Sequence, residues 1–213
     1  MPTYAQRVAN FGTTIFAEIN QLADRYHATN LGQGRPDYDG PAAVIAAAVK
    51  ALQSGRHNQY APGDGIPAFK TAIARHAKRF YGMDVDPANV CSTAGATEAL
   101  FAAVMGLIDT GDEVIVIEPY YDSYAANILL AGAKPVYVPL HPPEWVFDPD
   151  ELRAAFSAKT RAIMINTPHN PTGRVFTRDE LTLIADLCKT FDVTTAITIW
   201  SSYKDTADQA TLV

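Results

Sequence analysis

A turn that sets an asparagine between two prolines is the strongest chemical signal in this sequence. Residues 167–173 have the sequence TPHNPTG. They follow residues 160–166, an apolar run typical of a buried strand, and precede a capping box at residues 177–180 that begins a helix. The prolines fix the backbone and Gly173 permits a tight exit, so the amide of Asn170 is held at the carboxyl end of a strand. Ligands bind at that edge of open α/β sheets, so one interpretation of this segment is a ligand-binding turn. The alternative interpretation is an ordinary turn with no role in binding.

A second signal lies at residues 93–98, TAGATE, where a short strand predicted over residues 90–92 meets the following helix. The first turn of a helix leaves N–H groups unpaired and carries a partial positive charge, so an anion fits there. Gly95 and Ala96 keep side chains out of the way, and the Thr97 hydroxyl can donate a further hydrogen bond. The pattern indicates either a phosphate cradle or a well-capped helix with small residues for close packing.

Aromatic residues follow the strand predicted over residues 113–118. The segment 118–124 has the sequence EPYYDSY. A ring such as that of Tyr121 can stack on a flat heterocycle, or it can close the rim of the core. Tyr60, in a loop rich in glycine and proline, offers a phenol hydroxyl as a donor, although a loop tyrosine more often packs on the surface.

The predicted elements place these turns in an α/β architecture. From residue 90 onward strand and helix alternate, and the strand at 113–118 is apolar on both faces, which suits a strand covered on both sides. We predict helices over residues 6–26, 41–52, 66–81, 99–108, 121–130, 148–156 and 181–191. We predict strands over residues 90–92, 113–118, 135–138 and 160–166.

Composition narrows the class of protein. Hydrophobic residues make up 48% and charged residues 19% of the 213, so a sizeable core is available and disorder is not expected. The net charge of −6 argues against nucleic acid or an anionic membrane as the main partner. Cys91 and Cys188 lie in apolar segments and are predicted to be buried free thiols. The chain has no apolar run of transmembrane length and no signal-peptide core at its start, so we expect a cytoplasmic protein. The histidines show no metal-ligand spacing, and no metal site is predicted.

Five segments, taken in order, resemble the fold-type-I (class I/II) aminotransferases, which use pyridoxal 5'-phosphate. The likeness is to the branch that contains methionine and kynurenine (glutamine) aminotransferases. The segments are 31–34 (LGQG), 58–60 (NQY), 95–98 (GATE), 118–121 (EPYY) and 170–173 (NPTG). The resemblance implies a three-layer α/β fold with the mostly parallel sheet of the family's large domain, here incomplete, and a helical N-terminal arm.

The same resemblance implies a division of the chain. Residues 1–30 correspond to the N-terminal arm, which in the family belongs to the small domain and the dimer contact. Residues 31–193 correspond to a partial cofactor-binding domain, and residues 194–213 form a divergent tail. The implied activity is amino-group transfer between an amino acid and a 2-oxo acid.

Roles for the cofactor-binding residues also follow from the resemblance. Three residues, Gly95, Ala96 and Thr97, would hold the cofactor phosphate through backbone and side-chain donors. Tyr121 would stack on the pyridine ring, and Asn170 would hydrogen-bond the phenolic oxygen of that ring.

Two further residues receive roles that involve the substrate or a second subunit. Tyr60 would reach the phosphate of the neighbouring subunit's site, which implies a homodimer. Gly34 would lie against the substrate carboxylate, and Arg35 stands where many members carry an aromatic residue.

The resemblance ends near Val193. Residues 194–200 contain no acidic residue, whereas the family carries there an aspartate for the pyridinium nitrogen. Lys204 lies 34 residues beyond Asn170 (204 − 170), well short of the family's spacing to its Schiff-base lysine. We therefore expect a truncated chain without that lysine, and we assign no catalytic residue. The alternative is a non-catalytic remnant that binds the cofactor weakly or self-associates. A dinucleotide-binding enzyme is disfavoured because no G-x-G-x-x-G follows a predicted strand.

Overall fold

The computed structural model describes residues 5–9, 11–32, 34, 38–193 and 195–200. For Gln6 and residues 195–200 the description covers the backbone alone. Arg35 and Lys204, singled out above, lie outside the described residues. The chain divides into two compact units, one of Phe11–Ile66 and the other of Met1–Asn10 together with Pro67–Val213.

The described residues of the Phe11–Ile66 unit form two helices, α1 at Ile15–Tyr26 and α2 at Ala42–Gln53, and neither helix has a buried residue. The predicted helix over 6–26 is wrong in its first half. Residues Gln6–Val8 form only a 3-10 turn, and α1 begins after Thr14, whose hydroxyl accepts the Ala17 N–H at 3.3 Å. A threonine oxygen stabilises the free N–H groups of a helix start, so this residue acts as an N-cap instead of continuing a longer helix.

The second unit carries the sheet. Its helices are α3 (Pro67–Tyr81), α4 (Ala96–Leu107), α5 (Ser123–Leu130), α6 (Pro149–Ala154) and α7 (Arg178–Thr190). Its strands are β1 (Glu113–Glu118), β2 (Lys134–His141), β3 (Val146–Phe147), β4 (Thr160–Thr167) and β5 (Thr195–Trp200). The strand order is β3-β2-β1-β4-β5, and every pairing is parallel except the short β2–β3 hairpin.

Helices cover both faces of the sheet, and alternate residues of the central strands face opposite layers. Val114 and Val116 of β1 pack with Leu100 and Val104 of α4 and with Ile128 of α5. On the other face, the β1 isoleucines pack with residues of α6 and α7; this cluster includes Ile115, Ile117, Leu152, Ile184 and Leu187. The predicted three-layer, mostly parallel α/β fold is therefore confirmed.

Two local predictions in this unit are wrong. Residues 90–92 are not a strand: Val90 has extended dihedral angles, but no strand in the described part of the sheet pairs with it. Cys91 is exposed, not buried, because the segment before α4 is not covered by the sheet layers, whereas Cys188 is half-buried. Neither cysteine forms a disulfide, and burial raises the pKa of the Cys188 thiol.

Candidate functional site

The carboxyl ends of β1 and β4 lie side by side. The two strands are parallel and adjacent, with Val116 opposite Met164. The segments that leave these strands, Pro119–Tyr121 and 168–173, therefore begin at one edge of the sheet, and both were singled out from the sequence. The edge is a natural place for a ligand because backbone turns and strand ends converge there.

Hydrogen bonds close the turn after β4 tightly on itself. The His169 N–H donates to the Arg174 carbonyl at 2.7 Å, and the Gly173 N–H donates to the His169 carbonyl at 2.6 Å. Gly173 has a φ of 73°, a conformation that residues with a Cβ seldom adopt. The turn thus has one defined backbone path, as the spacing of its prolines and glycine predicts.

Asn170 stands at the outer side of this turn. Its backbone N–H donates to Oδ1 of Asn166, the penultimate residue of β4, at 2.8 Å. Asn166 is buried, whereas Asn170 is exposed. The backbone of Asn170 is therefore fixed to the end of the strand while its side chain is accessible to a ligand.

His169 anchors the same turn on its inner side. The residue is 3% exposed, Nδ1 lies 2.9 Å from the Thr172 hydroxyl, and the ring packs edge-on against Phe176. Burial lowers the pKa of the imidazole, the positive charge of Arg174 lowers it further, and a hydrogen bond to the Ile117 backbone opposes both. The neutral imidazole therefore predominates at neutral pH.

The start of α7 adds a second anchor. Thr177 and Glu180 form the predicted capping box: the Glu180 N–H donates to Thr177 Oγ1, and the Thr177 N–H donates to Glu180 Oε2 at 2.7 Å. The Arg174 guanidinium binds the other carboxylate oxygen at 2.7 Å. Burial tends to raise the pKa of Glu180, but the hydrogen bonds from Arg174 and Thr177 outweigh it and lower the pKa. The turn is thereby joined to the helix that follows it.

The start of α4 supplies the third segment. Gly95 occupies the N-cap position with φ 93° and ψ 171°, and no side chain caps the helix there. The Glu98 carboxylate accepts the Ala94 N–H, and the space where a Cβ of Gly95 would lie is open to at least 4 Å. Residues 94–99 are exposed, so the first turn of the helix is accessible to an anion.

The position of α4 brings its start to the same edge. At the other end of the helix, the Leu107 carbonyl accepts a hydrogen bond from Arg161 at the beginning of β4. Twelve helical residues span about 18 Å, close to the length of a six-residue strand such as β1. Because α4 runs antiparallel to the strands on their surface, its N-terminus lies towards the carboxyl edge.

Aromatic residues follow the carboxyl end of β1. Tyr121 is half-buried and meets Tyr124 edge-on, with ring centroids 5.8 Å apart. Tyr120 stacks on Tyr137 of β2 at 5.4 Å with the rings nearly parallel. Burial raises the pKa of Tyr124 to about 12 and also raises the pKa of Tyr137, so both phenols are neutral. Tyr121 therefore presents an aromatic ring just beyond the carboxyl end of β1.

Two of the predicted site residues belong to the other unit. Tyr60 is fully exposed, and Gly34 is also exposed. The sheet unit brings together Gly95, Ala96, Thr97, Tyr121 and Asn170 at one edge, and the proposed roles of Tyr60 and Gly34 stay predictions.

Sequence reasoning missed one residue that shapes the site. Asn166 was treated as an ordinary strand residue, although its side chain accepts the Asn170 N–H. An asparagine four residues before another, at a strand end, is the available signal, since Asn side chains commonly bond nearby backbone groups. Within the described residues, three or more His, Cys, Asp or Glu side chains nowhere gather as a metal would require. The described helices include none with the length and apolarity needed to cross a membrane.

Comparison with known sequences gives a family match. The model of the family described as aminotransferase class I and II matches residues 26–196. The chain is similar to the probable N-succinyldiaminopimelate aminotransferase DapC of Mycobacterium tuberculosis, with 48% identity over 184 residues, covering 85% of this chain and 46% of that protein. It is 43% identical to the methionine aminotransferase of Escherichia coli over 171 residues, covering 80% of this chain and 44% of that protein. The chain thus spans about half the length of the curated relatives it matches.

Comparison with solved structures also finds aminotransferases. The N-succinyldiaminopimelate aminotransferase from Mycobacterium tuberculosis superposes with a TM-score of 0.85 and 46% identity, covering 92% of this chain and 51% of that one. An aspartate aminotransferase mutant from Thermus thermophilus gives a TM-score of 0.82 and 34% identity, covering 93% and 54%.

Proposed function

The chain belongs to the class I and II aminotransferases, and from this premise we propose that it binds pyridoxal 5'-phosphate at the carboxyl edge of its sheet. We further propose that this binding serves amino-group transfer between an amino acid and a 2-oxo acid. Members of the family depend on pyridoxal phosphate. The observation that carries the proposal is the exposed start of α4, which no side chain caps, on a sheet whose adjacent strands β1 and β4 lead into the Tyr121 and Asn170 segments.

The start of α4 fits a phosphate group. The N–H groups of the first turn, at Ala96 and Thr97, point out of the helix end, where the helix dipole favours negative charge. Gly95 leaves the approach free of a side chain, and a Cβ there would fill the open space in front of the helix. The Thr97 hydroxyl adds one donor. These groups would hold the phosphate without any lysine or arginine from this segment.

The aromatic and amide groups fit the ring. Tyr121 offers a flat face, and the exposed Asn170 amide can donate to an oxygen on the ring while its backbone stays bound to Asn166. Pyridoxal phosphate, when bound, supplies an electron sink for carbon–nitrogen bond chemistry. The chain's own contribution at this edge is to bind and orient the ring and to keep a phenolic oxygen ionised through the Asn170 N–H₂ group.

Tyr60 and Gly34 complete the proposal. The exposed Tyr60 hydroxyl would bind the phosphate at the site of a second subunit in a homodimer, and Gly34 would lie against the substrate carboxylate. As in the family, the amino donor would be an amino acid and the acceptor a 2-oxo acid. A cytoplasmic location is part of the same proposal.

The source of the Schiff-base amine distinguishes two functions. Lys134 and Lys159 lie at the opposite, amino edge of the sheet, where the Lys159 carbonyl accepts the Glu113 N–H. Because these two lysines lie away from the proposed site, a second candidate function is cofactor binding without transfer. Borohydride reduction of the loaded protein, followed by peptide mass spectrometry, separates the two. A pyridoxyl label on Lys204 supports transfer by this chain, and an unlabelled protein that still binds the cofactor supports binding alone.

A titration of the purified chain with pyridoxal phosphate tests the binding site. We expect a saturable absorbance change, weakened roughly tenfold by Asn170→Ala, the loss expected for one hydrogen bond. The matched control is Asn89→Ala, an exposed asparagine in the 3-10 turn Pro87–Asn89, which should leave the dissociation constant unchanged. Equal affinity of all three proteins, or no saturation with the unmodified chain, would overturn the proposed site.

A further inference from the structure

His169 is a buried titratable side chain for which the proposed function has no role. It lies in the turn between β4 and α7, next to Asn170, and is 3% exposed. A buried polar ring needs partners, since burial without hydrogen bonds costs free energy. The partners of this ring show what it does.

The hydrogen bonds define which nitrogen carries the proton. The Thr172 hydroxyl oxygen lies 2.9 Å from Nδ1 of His169 and also accepts the Arg174 N–H at 3.3 Å. The ring also hydrogen-bonds the backbone of Ile117 in β1. Because a backbone carbonyl can only accept, and Nδ1 faces Thr172, the donor to Ile117 is Nε2–H. In the neutral ring Nδ1 then carries no proton and accepts from the Thr172 hydroxyl, so both ring nitrogens are satisfied.

These bonds join the turn to two strands at once. The ring of His169 reaches β1 through Ile117, and the N–H of Asn170 reaches β4 through Asn166. The backbone groups of His169 close the turn through Gly173 and Arg174. Without the two ring nitrogens, the turn would keep its bond to β4 but lose its bond to β1.

We propose that His169 is a positioning residue, which holds the turn against β1 so that the Asn170 amide faces the cofactor position. The inference rests on the proposed function for what Asn170 binds. It assigns His169 no contact with the ligand and no proton transfer. Any effect of His169 on the affinity for the cofactor therefore depends on Asn170.

A double-mutant cycle with pyridoxal phosphate tests this path. His169→Phe keeps a ring of similar size but removes both nitrogens, and we expect about tenfold weaker binding. In an Asn170→Ala background the same substitution should change the affinity less than twofold, because the group it positions is gone. His169→Gln, whose amide can still donate to Ile117, should restore most of the affinity. An equal loss in both backgrounds, or no loss, overturns the proposal.

Amide hydrogen exchange of the cofactor-free protein provides a readout that does not depend on ligand binding. His169→Phe should lower the protection of the Asn170 and Gly173 amides at least tenfold. The control His141→Phe, at an exposed histidine of β2, should leave that protection unchanged. If the unmodified chain fails to bind pyridoxal phosphate, the proposed function is wrong, and exchange still decides whether His169 holds the turn. Unchanged protection in His169→Phe refutes the positioning role.

Discussion

Replacing Gly95 by alanine tests whether the start of α4 requires a glycine. Gly95 has φ 93° and ψ 171°, a region that residues with a Cβ almost never occupy. An added Cβ would meet no atom within 4 Å, so the substitution causes no collision. Any loss of stability must therefore come from the backbone conformation itself.

The expected loss is about 1–3 kcal/mol, the range for a side chain forced into a sparsely populated backbone region. Gly106 provides a matched control in the same helix. Its added Cβ also meets nothing within 4 Å, and its φ is not in the positive range. Gly106→Ala should stabilise the protein by about 0.5–1 kcal/mol, because alanine reduces the entropy of the unfolded chain. The same Gly→Ala substitution should thus lower the stability of the protein at the start of α4 and raise it near the end of α4.

Thermal and urea unfolding without added cofactor measure both variants. For a chain of this length each kcal/mol corresponds to roughly 2–4 °C in the melting temperature. Gly95→Ala should melt several degrees lower and Gly106→Ala slightly higher than the unmodified chain. The same titration with pyridoxal phosphate should show weaker binding for Gly95→Ala alone. Equal signs of the two stability changes would refute the assignment of strain to the Gly95 backbone.

Two further outcomes follow from the anchors of the Asn170 turn. The pKa of His169 is lowered in the folded protein, so the unfolded chain binds a proton that the folded chain does not as pH falls below about 6.5. Stability should therefore decrease below that pH, as measured by urea unfolding at pH 7.5 and 5.5, and His169→Phe should weaken this dependence; an unchanged dependence contradicts the assignment. Glu180→Gln should destabilise by about 3 kcal/mol, because Arg174 is mostly buried and its Nη1 already lacks a partner among the described residues. Glu151→Gln, in the exposed pair with His141, should change stability by less than about 1 kcal/mol in the same assay, and similar losses for both variants would argue against the Arg174 anchor.

Local chemistry determined the elements that were predicted well. The strand at Glu113–Glu118 was predicted with its observed bounds, because an apolar run on both faces suits a strand buried between helix layers. The capping box at Thr177–Glu180 indicated the start of α7, and both of its hydrogen bonds are present. The helix at residues 66–81 was predicted to within one residue of α3. In each case the deciding groups lie within a few residues of one another.

Predictions failed where the deciding partner is distant or a cap competes. Residues 90–92 have the composition of a strand and extended dihedral angles at Val90, but a strand also needs a neighbour, which no local pattern specifies. Apolar spacing favoured a helix from residue 6, yet Thr14 caps a later start. The exposure of Cys91 depends on which layer covers its segment, again a property of tertiary packing.

The sequence predicts residues for the candidate site, whose roles stay predictions, but it does not reveal the hydrogen bonds that support them. The sequence predicts a tight turn at Gly173, whose φ is positive; at Gly95 it predicts only the absence of a side chain, and the positive φ there is a finding of the structure. The hydrogen bonds of His169 to Thr172 and of Asn170 to Asn166 fix how the turn is held. Those bonds depend on side-chain geometry after the strands have paired, so sequence spacing alone does not reveal them.

The edge that carries the site is assembled from segments near residues 95, 121 and 170, which meet once β1 and β4 have paired. Contacts between such distant parts of a chain form late, after loop closure has been achieved. A ligand that contacts all three segments binds only the folded domain. It therefore lowers the unfolding rate and leaves the folding rate unchanged. For this chain, a small molecule bound at the sheet edge would slow the unfolding of the domain without helping the domain to fold.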